Sequence, residues 1–278
     1  MSKSYDVVGD VAIIRVPNDL THDPQTIAQA IMRTDRHVKT VLRQSGAVSG
    51  DFRLRNLEWV LGEKKAETMH KESGCFFRVD LTACYFSPRL SFERVRIAHL
   101  VQQDEVAVNM FAGVGCFSVL MAKLGGARKV YSVDMNPAAV DFMRGNARLN
   151  RVSGRVVPIL GDSKDVILGS LRGVADRVVM PLPEKAFEYL DFALLALKPK
   201  GGWVHYYDSV HALKDDDPVE KLQVKVAEKL EGLGVGFSVP FGRVVRSTGP
   251  NWYQIVLDLR IAKQYRDVQD FSALLNLC

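Results

Sequence analysis

No apolar run in the 278-residue chain approaches the ~20 residues that a membrane span requires. The opening Met1-Ser2-Lys3-Ser4-Tyr5-Asp6 lacks the apolar stretch of a signal peptide. Membrane insertion and secretion are therefore not expected, and the cytoplasm is the expected location. Cysteine is scarce. Cys75, Cys84, Cys116 and Cys278 form neither a Cys-x-x-Cys pair nor a zinc-like pattern with histidine. They read as reduced thiols, and no metal is expected. Low-complexity tracts and internal repeats are missing too. A third glycine is also absent from Gly113-Val114-Gly115-Cys116-Phe117-Ser118, where serine stands in its place. A dinucleotide fingerprint uses that glycine to pack a helix tightly beneath a pyrophosphate, so a nicotinamide cofactor is disfavoured.

Several positive features remain. A hydrophobic content of 47% is ample for a core, in one large or two smaller domains. The formal charge of +5 permits a polyanionic partner without requiring one. The stretch Val108 to Ser118 reads as a buried strand, a glycine-rich turn and the start of a helix. Val130-Tyr131-Ser132-Val133-Asp134 then reads as a second strand ending in a carboxylate. Glycines let backbone approach a ligand closely, and an acid at that tip can accept from both hydroxyls of a ribose. Asp162, after the strand-like Val156–Leu160, is placed to accept from an adenine amino group. Each acid alone could be a turn former or helix cap. Together with the glycine turn they predict an adenosine-containing cofactor without pyrophosphate, S-adenosyl-L-methionine.

The order of elements supports this. Residues 1–84 read as a small α+β domain: a strand over Asp10–Pro17, a helix opened by Asp23-Pro24, and strands near Val38–Arg43, Leu57–Leu61 and Phe76–Leu81. Residues 85–266 alternate short β-rich segments (Ala107–Phe111, Lys129–Val133, Val156–Leu160, Arg177–Met180, Gly202–Tyr207) with helical spacing, which predicts a parallel sheet covered on both faces. After a helix over Pro218–Leu230, Val235–Pro240 and Tyr253–Ile261 follow without an intervening helix, which predicts an antiparallel hairpin at one sheet edge. The expected fold is therefore α/β, a class I methyltransferase Rossmann-like sheet with a C-terminal antiparallel hairpin, preceded by the small α+β domain. Residues 267–278 read as a tail.

The motifs Gly50-Asp51-Phe52-Arg53-Leu54-Arg55, Tyr85-Phe86-Ser87-Pro88-Arg89-Leu90, Glu93-Arg94 and Asn109-Met110-Phe111-Ala112-Gly113-Val114-Gly115 stand out together. With Met180-Pro181-Leu182-Pro183, His205-Tyr206-Tyr207 and Arg246-Ser247-Thr248-Gly249-Pro250, the chain resembles the archaeal and eukaryotic tRNA (guanine-37-N1)-methyltransferase family from about Tyr5 to Lys263. The resemblance implies methyl transfer to N1 of guanine 37 beside the anticodon, with the anticodon stem-loop of tRNA as partner. Members often carry a further N-terminal domain that grips the tRNA elbow; this chain starts at the second domain. Glu93 occupies the family's general-base position, the group that removes the N1 proton. Its alternative is a helix-entry acid. Arg53 matches the arginine that meets the negative charge developing on O6, with Arg55 a close rival. For the cofactor, the resemblance implies Arg94 at the methionine end. Asn109, Phe111, Gly113, Gly115, Asp134, Met135, Asp162 and Ser163 lie along it, and Pro181 and Pro183 on the fourth-strand loop face both cofactor and base.

Two positions depart from the family pattern. Asn109 stands where an acid is common and keeps only a neutral carbonyl for the cofactor's ammonium group. Pro181 stands where asparagine usually helps hold the base, and proline has neither amide nor N–H. Arg243, Arg246 and Trp252 are the expected RNA contacts: basic residues for phosphates, an indole for stacking. Arg260, Lys263 and Arg266 belong to the same basic stretch. His205 reads as a hydrogen-bonded structural residue at the sheet's carboxyl edge. Two alternatives stay open, an aminocarboxypropyl transferase of wybutosine synthesis and a non-catalytic tRNA-binding homologue. Oligomeric state is not legible.

Overall fold

The computed structural model describes residues 5–16, 23–46, 48, 50 and 52–262. A four-stranded sheet opens the chain: β1 (Tyr5–Val8) and β2 (Val11–Ile14) form a hairpin, β3 (Thr40–Gln44) runs parallel to β2, and β4 (Leu57–Gly62) pairs antiparallel with β3. The parallel step needs a crossover, supplied by α1 (Pro24–Thr34). As expected, Asp23 caps this helix, accepting from the N–H groups of Gln25 and Thr26, with Pro24 in the first turn.

β5 (Glu67–Glu72) and β6 (Cys75–Asp80) then form a separate hairpin. The sequence reading missed β1 and β5; the polar run Glu67-Thr68-Met69-His70-Lys71-Glu72 shows no apolar face for periodicity to register. The hairpin lies on α4 (Pro137–Leu149) through an unusual seal. Asn146 accepts from the Arg78 N–H (2.8 Å) and donates to the Arg78 carbonyl (3.1 Å). Asn150 does the same for Phe76, at 2.9 and 2.7 Å. Two side-chain amides four residues apart thus stand in for a neighbouring strand. Asn146 is fully buried and also donates to the Val114 carbonyl. Asn146→Ala leaves the Arg78 N–H and carbonyl without these partners, and is expected to lower unfolding free energy by about 2–4 kcal/mol, read from denaturant midpoints.

The main sheet contains β7 (Val106–Asn109), β8 (Lys129–Asp134), β9 (Val156–Leu160), β10 (Arg177–Met180), β11 (Gly202–His211), β12 (Phe237–Gly249) and β13 (Trp252–Ile261). Its order is β12-β13-β11-β10-β7-β8-β9, with β11, β10, β7, β8 and β9 parallel and β13 antiparallel to both its neighbours. The predicted class I methyltransferase sheet with a C-terminal hairpin is what the chain forms. β7 and β10 are buried along their whole length, as a sheet covered on both faces requires. α2 (Ser91–Leu100), α3 (Cys116–Lys123) and α4 lie on one face. α6 (Pro183–Ala196) and α7 (Pro218–Gly232) lie on the other.

Two details differ from expectation. The segment of helical spacing that follows β9 is α5 (Ser163–Val166) followed by a π-helical turn over Ile167–Leu171. The strand expected to stop at Pro240 continues to Gly249 as a long, partly exposed edge with three register irregularities. Both outermost strands contain a proline, Pro158 in β9 and Pro240 in β12. Among the described residues no helix is long and apolar enough to cross a membrane, and no cluster of His, Cys, Asp or Glu could hold a metal ion.

Candidate functional site

Chain order reverses between β7 and β10, and in open α/β sheets ligands bind at the carboxyl ends of strands flanking such a reversal. A cleft of about 420 Å³ lies there, lined by Phe111, Gly113, Asp134, Met135, Asp162 and Pro181, together with Phe52, Arg53, Tyr85, Glu184 and Tyr189. Asp134, at the tip of β8, is locked in place: Oδ2 accepts from the Gly113 N–H (2.6 Å) and Oδ1 from the Asn136 N–H (2.9 Å). Burial pushes its carboxyl up, against the pull of those two N–H groups. Asp162 caps α5 through the Lys164 N–H (2.8 Å) and accepts the Tyr189 hydroxyl (2.7 Å). Tyr189 in turn meets the Phe111 ring edge-on at 5.4 Å, walling the cleft with aromatic surface.

A second cleft of about 320 Å³ adjoins the first, and the two share Val48, Arg53, Tyr85, Pro181 and Glu184. Arg15, Arg55, Arg89, Pro183, Ser209, Arg246 and Gln254 are among its other walls. Arg53 stands in the throat. Its backbone is left-handed (φ 53°), a conformation that costs a non-glycine residue free energy and recurs at functional sites. Its guanidinium lies 4.6 Å from the centre of the Tyr85 ring and pairs with Glu184 at 2.8 Å. Burial pushes the Tyr85 hydroxyl up, but Arg53, Arg246 and Arg55 outweigh it and leave it below its ordinary value.

Phe111, Gly113, Asp134, Met135, Asp162 and Pro181 thus meet in the first cleft, and Arg53, Arg55, Pro183 and Arg246 line the second. Four of the expected cofactor residues lie outside both. Gly115 (φ 91°) caps α3, and a Cβ there would meet Met143 at 2.7 Å; its glycine serves packing. Arg94 is buried, donating to Glu72 (2.6 Å) and the Ser87 carbonyl (2.7 Å) beneath the Phe86 ring, so it ties α2 to the β5–β6 hairpin instead of reaching the cofactor cleft. Ser163 is buried at the start of α5. Asn109 is buried at the end of β7, donating to Ser118 at 3.0 Å, and its Oδ1 has no partner.

Glu93 is the largest difference. It is buried on α2, accepts from Tyr207 (2.8 Å) and Arg96 (3.0 Å), and pairs with Arg243 at 2.9 Å. Tyr207 pairs with Val256, whereas Ser209 and Gln254, which line the second cleft, pair two residues further along the sheet. The carboxylate is not among the residues that line either cleft. Arg243, expected on RNA, turns inward to Glu93 while its guanidinium covers the exposed Phe92 ring at 4.4 Å. The network continues through Arg96 to Asp258, His205, Arg177 and Glu105. His205 is the structural residue the sequence suggested. Trp252 is 47% exposed, with its ring edge-on to His211. Arg260 covers Trp203 beside Lys198 and Lys200, in a cavity apart from both clefts. Lys263, Arg266 and the tail 267–278 lie outside the described residues.

Tyr85, Tyr189 and Glu184 were not anticipated as site residues. Tyr85 opens the Tyr85-Phe86-Ser87-Pro88 motif, and Glu184 follows Pro183, so both had a local signal. Tyr189 had none beyond helical spacing.

A doubly wound sheet with an antiparallel terminal hairpin, an acid at the tip of β8 and a glycine turn define a class I methyltransferase. The TRM5/TYW2 methyltransferase domain matches residues 68–233, and the TYW2 N-terminal domain matches residues 1–65. The chain belongs to the TRM5/TYW2 family. It is 37% identical over 93% of its length to tRNA (guanine(37)-N(1))-methyltransferase Trm5b of Pyrococcus abyssi, covering 75% of that protein. It is 39% identical over 93% of its length to tRNA 4-demethylwyosine(37)-methyltransferase Taw21 of Saccharolobus solfataricus, covering 94% of it. Among solved structures it resembles aTrm5 in complex with tRNALeu (TM-score 0.80, 34% identity, 94% of this chain and 72% of that one). It also resembles TYW2 of Methanocaldococcus jannaschii in complex with AdoMet (TM-score 0.69, 27% identity, 94% and 100%).

Proposed function

We infer that the protein is a tRNA methyltransferase, transferring a methyl group from S-adenosylmethionine to N1 of guanine 37, and that it works in the cytoplasm on the anticodon stem-loop. The observation that carries this is the meeting of two clefts at Arg53, Tyr85, Pro181 and Glu184, one suited to an adenosine and the other rich in arginine. The residues fit the cofactor. Asp134 offers a fixed carboxylate for ribose hydroxyls, Phe111 and Tyr189 an aromatic wall for adenine, and the unpartnered Asn109 Oδ1 an acceptor at the end of β7. When bound, the cofactor supplies an electrophilic methyl group on a sulfonium. The protein's own part is to hold the base, balance charge on its O6 and take its N1 proton. Arg53, in the throat, serves O6.

Glu93 remains our proposed proton acceptor, and its burial sets a condition: Arg243 must release it, turning toward RNA phosphate. Glu93→Gln is expected to cut the methylation rate at least about 100-fold with cofactor affinity retained. A rate within twofold of the parent would move the role to a group lining the cleft, Glu184 first. The direct test is nucleoside mass spectrometry of a guanine-37 transcript after incubation with S-adenosylmethionine. A 14-dalton gain on guanine, the mass a CH2 adds in methyl-for-hydrogen exchange, is expected.

A second reading rests on two observations. The Saccharolobus relative, which acts on 4-demethylwyosine, is matched over 94% of its length, against 75% for the Pyrococcus guanine enzyme. Pro181, without an amide, lines both clefts. A transcript carrying 4-demethylwyosine at position 37, run beside the guanine one, separates these substrates, and a larger added group would identify aminocarboxypropyl transfer.

A further inference from the structure

The second cleft holds more positive charge than methyl transfer to a base uses. Arg15, Arg53, Arg55, Arg89 and Arg246 line it, and among its described lining residues Glu184 is the one carboxylate. Arg53 alone among them also lines the cofactor cleft, where it can meet a base carbonyl beside the methyl donor. The other four stand where an uncharged base gives them nothing to neutralise.

Arg55 is the most informative of the four. It is only 7% exposed, and its Nη2 donates to the Phe86 carbonyl at 3.0 Å. Its Nη1 has no hydrogen-bond partner, and the carboxylate oxygen of Asp6 is 3.9 Å away. That oxygen's carboxylate is already engaged by Arg89 at 2.7 Å. A buried guanidinium N–H without an acceptor costs about 1–3 kcal/mol or more. Burial pushes the Arg55 guanidinium below its ordinary value, with Arg15 and Arg246 adding repulsion against the opposing pull of Tyr85 and Asp6. The wall is thus short of one anion.

We propose, on the footing of the tRNA methyltransferase reading, that Arg15, Arg55, Arg89 and Arg246 seat a phosphodiester flanking the target nucleotide. The guanidinium fork matches phosphate oxygens, and each of these arginines sits on a different part of the fold: Arg15 follows β2, Arg55 precedes β4, Arg89 precedes α2 and Arg246 lies on β12. A nucleotide gripped at its phosphate here and at its base by Arg53 is fixed at two points. Its rotation is then restricted before the reaction begins. The seat also unites the four-stranded sheet, the α2 entry and the terminal hairpin around one ligand, so binding draws them together.

A carboxylate on the cofactor is the competing source of the anion, and the experiment separates the two. Synthetic anticodon stem-loops carry an uncharged methylphosphonate in place of one or the other phosphodiester beside nucleotide 37, and affinity is read by fluorescence anisotropy. In the parent protein one of the two substitutions is expected to weaken binding about tenfold or more, the value of a charge-assisted contact. In Arg15→Gln, whose side chain is exposed, the same substitution is expected to cost less than about twofold, with a shallower salt dependence. Arg55→Gln extends the comparison provided that it folds. Equal losses in parent and variants, or no loss in the parent, overturn the proposal. A matching loss of S-adenosylhomocysteine affinity in the variants overturns it too, by giving the anion to the cofactor. A parent stem-loop that binds but is never methylated would instead refute the catalytic reading, and the anisotropy comparison would still decide the seat.

Discussion

Asp258→Ala is expected to lower unfolding free energy by about 3–5 kcal/mol. Asp258 is 4% exposed and accepts two bonds from Arg96, at 2.6 and 3.1 Å, and one from His205 at 2.6 Å. The far side of the imidazole, Nε2, faces Arg177 Nη1 at 2.6 Å. A guanidinium only donates, so Nε2 must accept and the proton sits on Nδ1, aimed at Asp258. His205 is therefore neutral. Burial pushes its imidazole below its ordinary value, as do the nearby arginines, and the attraction of Asp258 does not outweigh them. Asp258 lies at about 2, because burial, which would raise it, loses to His205 and Arg96.

These two shifts contribute to the acid limb of stability. The unfolded chain protonates its histidine near pH 6.5 while the folded one does not, so stability begins to fall as pH drops below about 6.5. The Asp258 contribution is complete above about pH 4 and disappears as pH approaches 2. Denaturant midpoints between pH 7 and 3 check both. The Asp258→Ala curve should sit lower and flatten below pH 4, and a parent-like midpoint at pH 7 would refute the network's role. The Nδ1 tautomer is separately readable from nitrogen chemical shifts of His205.

The second large effect concerns the cofactor. Asp134→Ala is expected to weaken S-adenosylhomocysteine binding about 100-fold or more, measured calorimetrically. Two charge-assisted bonds to ribose hydroxyls are worth about 1.5–3 kcal/mol each, and losing both sets this scale. The change also frees the Gly113 N–H, whose bond to Asp134 at 2.6 Å holds the glycine turn. Asp162→Ala should cost less, about tenfold, since one acceptor for the adenine amino group is lost. The helix cap and the Tyr189 bond are lost with it. Equal affinity in parent and Asp134→Ala would exclude this cleft as the adenosine site.

What could be read from sequence and what could not divides along physical lines. Asp134, Asp162 and the glycine turn were legible because short βα connections fix where a strand tip delivers its side chain. Arg53 was legible only through its motif; nothing in its neighbours announces a left-handed backbone. Glu93 was correctly placed near a helix entry and Arg96 is a local partner three residues on, but Tyr207 and Arg243 come from β11 and β12, and no local pattern records such long-range pairing. Gly115 looked like a ligand glycine because sequence cannot distinguish a ligand's approach from the approach of Met143. The strand β5 was hidden by polarity and is visible only once Asn146 and Asn150 are seen completing the other edge of its partner. Arg243 and Arg260 share one basic stretch, yet strand geometry sends one to Glu93 and the other to a cavity apart from both clefts.

The prolines in β9 and β12 bear on how this molecule meets others of its kind. Each removes one N–H from an outer margin of the seven-stranded sheet, and the three irregularities in β12 further distort the row of donors and acceptors that a visiting strand would need. Neither margin is a template for growth by strand addition. An associate approaching either margin of this sheet is therefore expected to recognise side chains more than bare backbone.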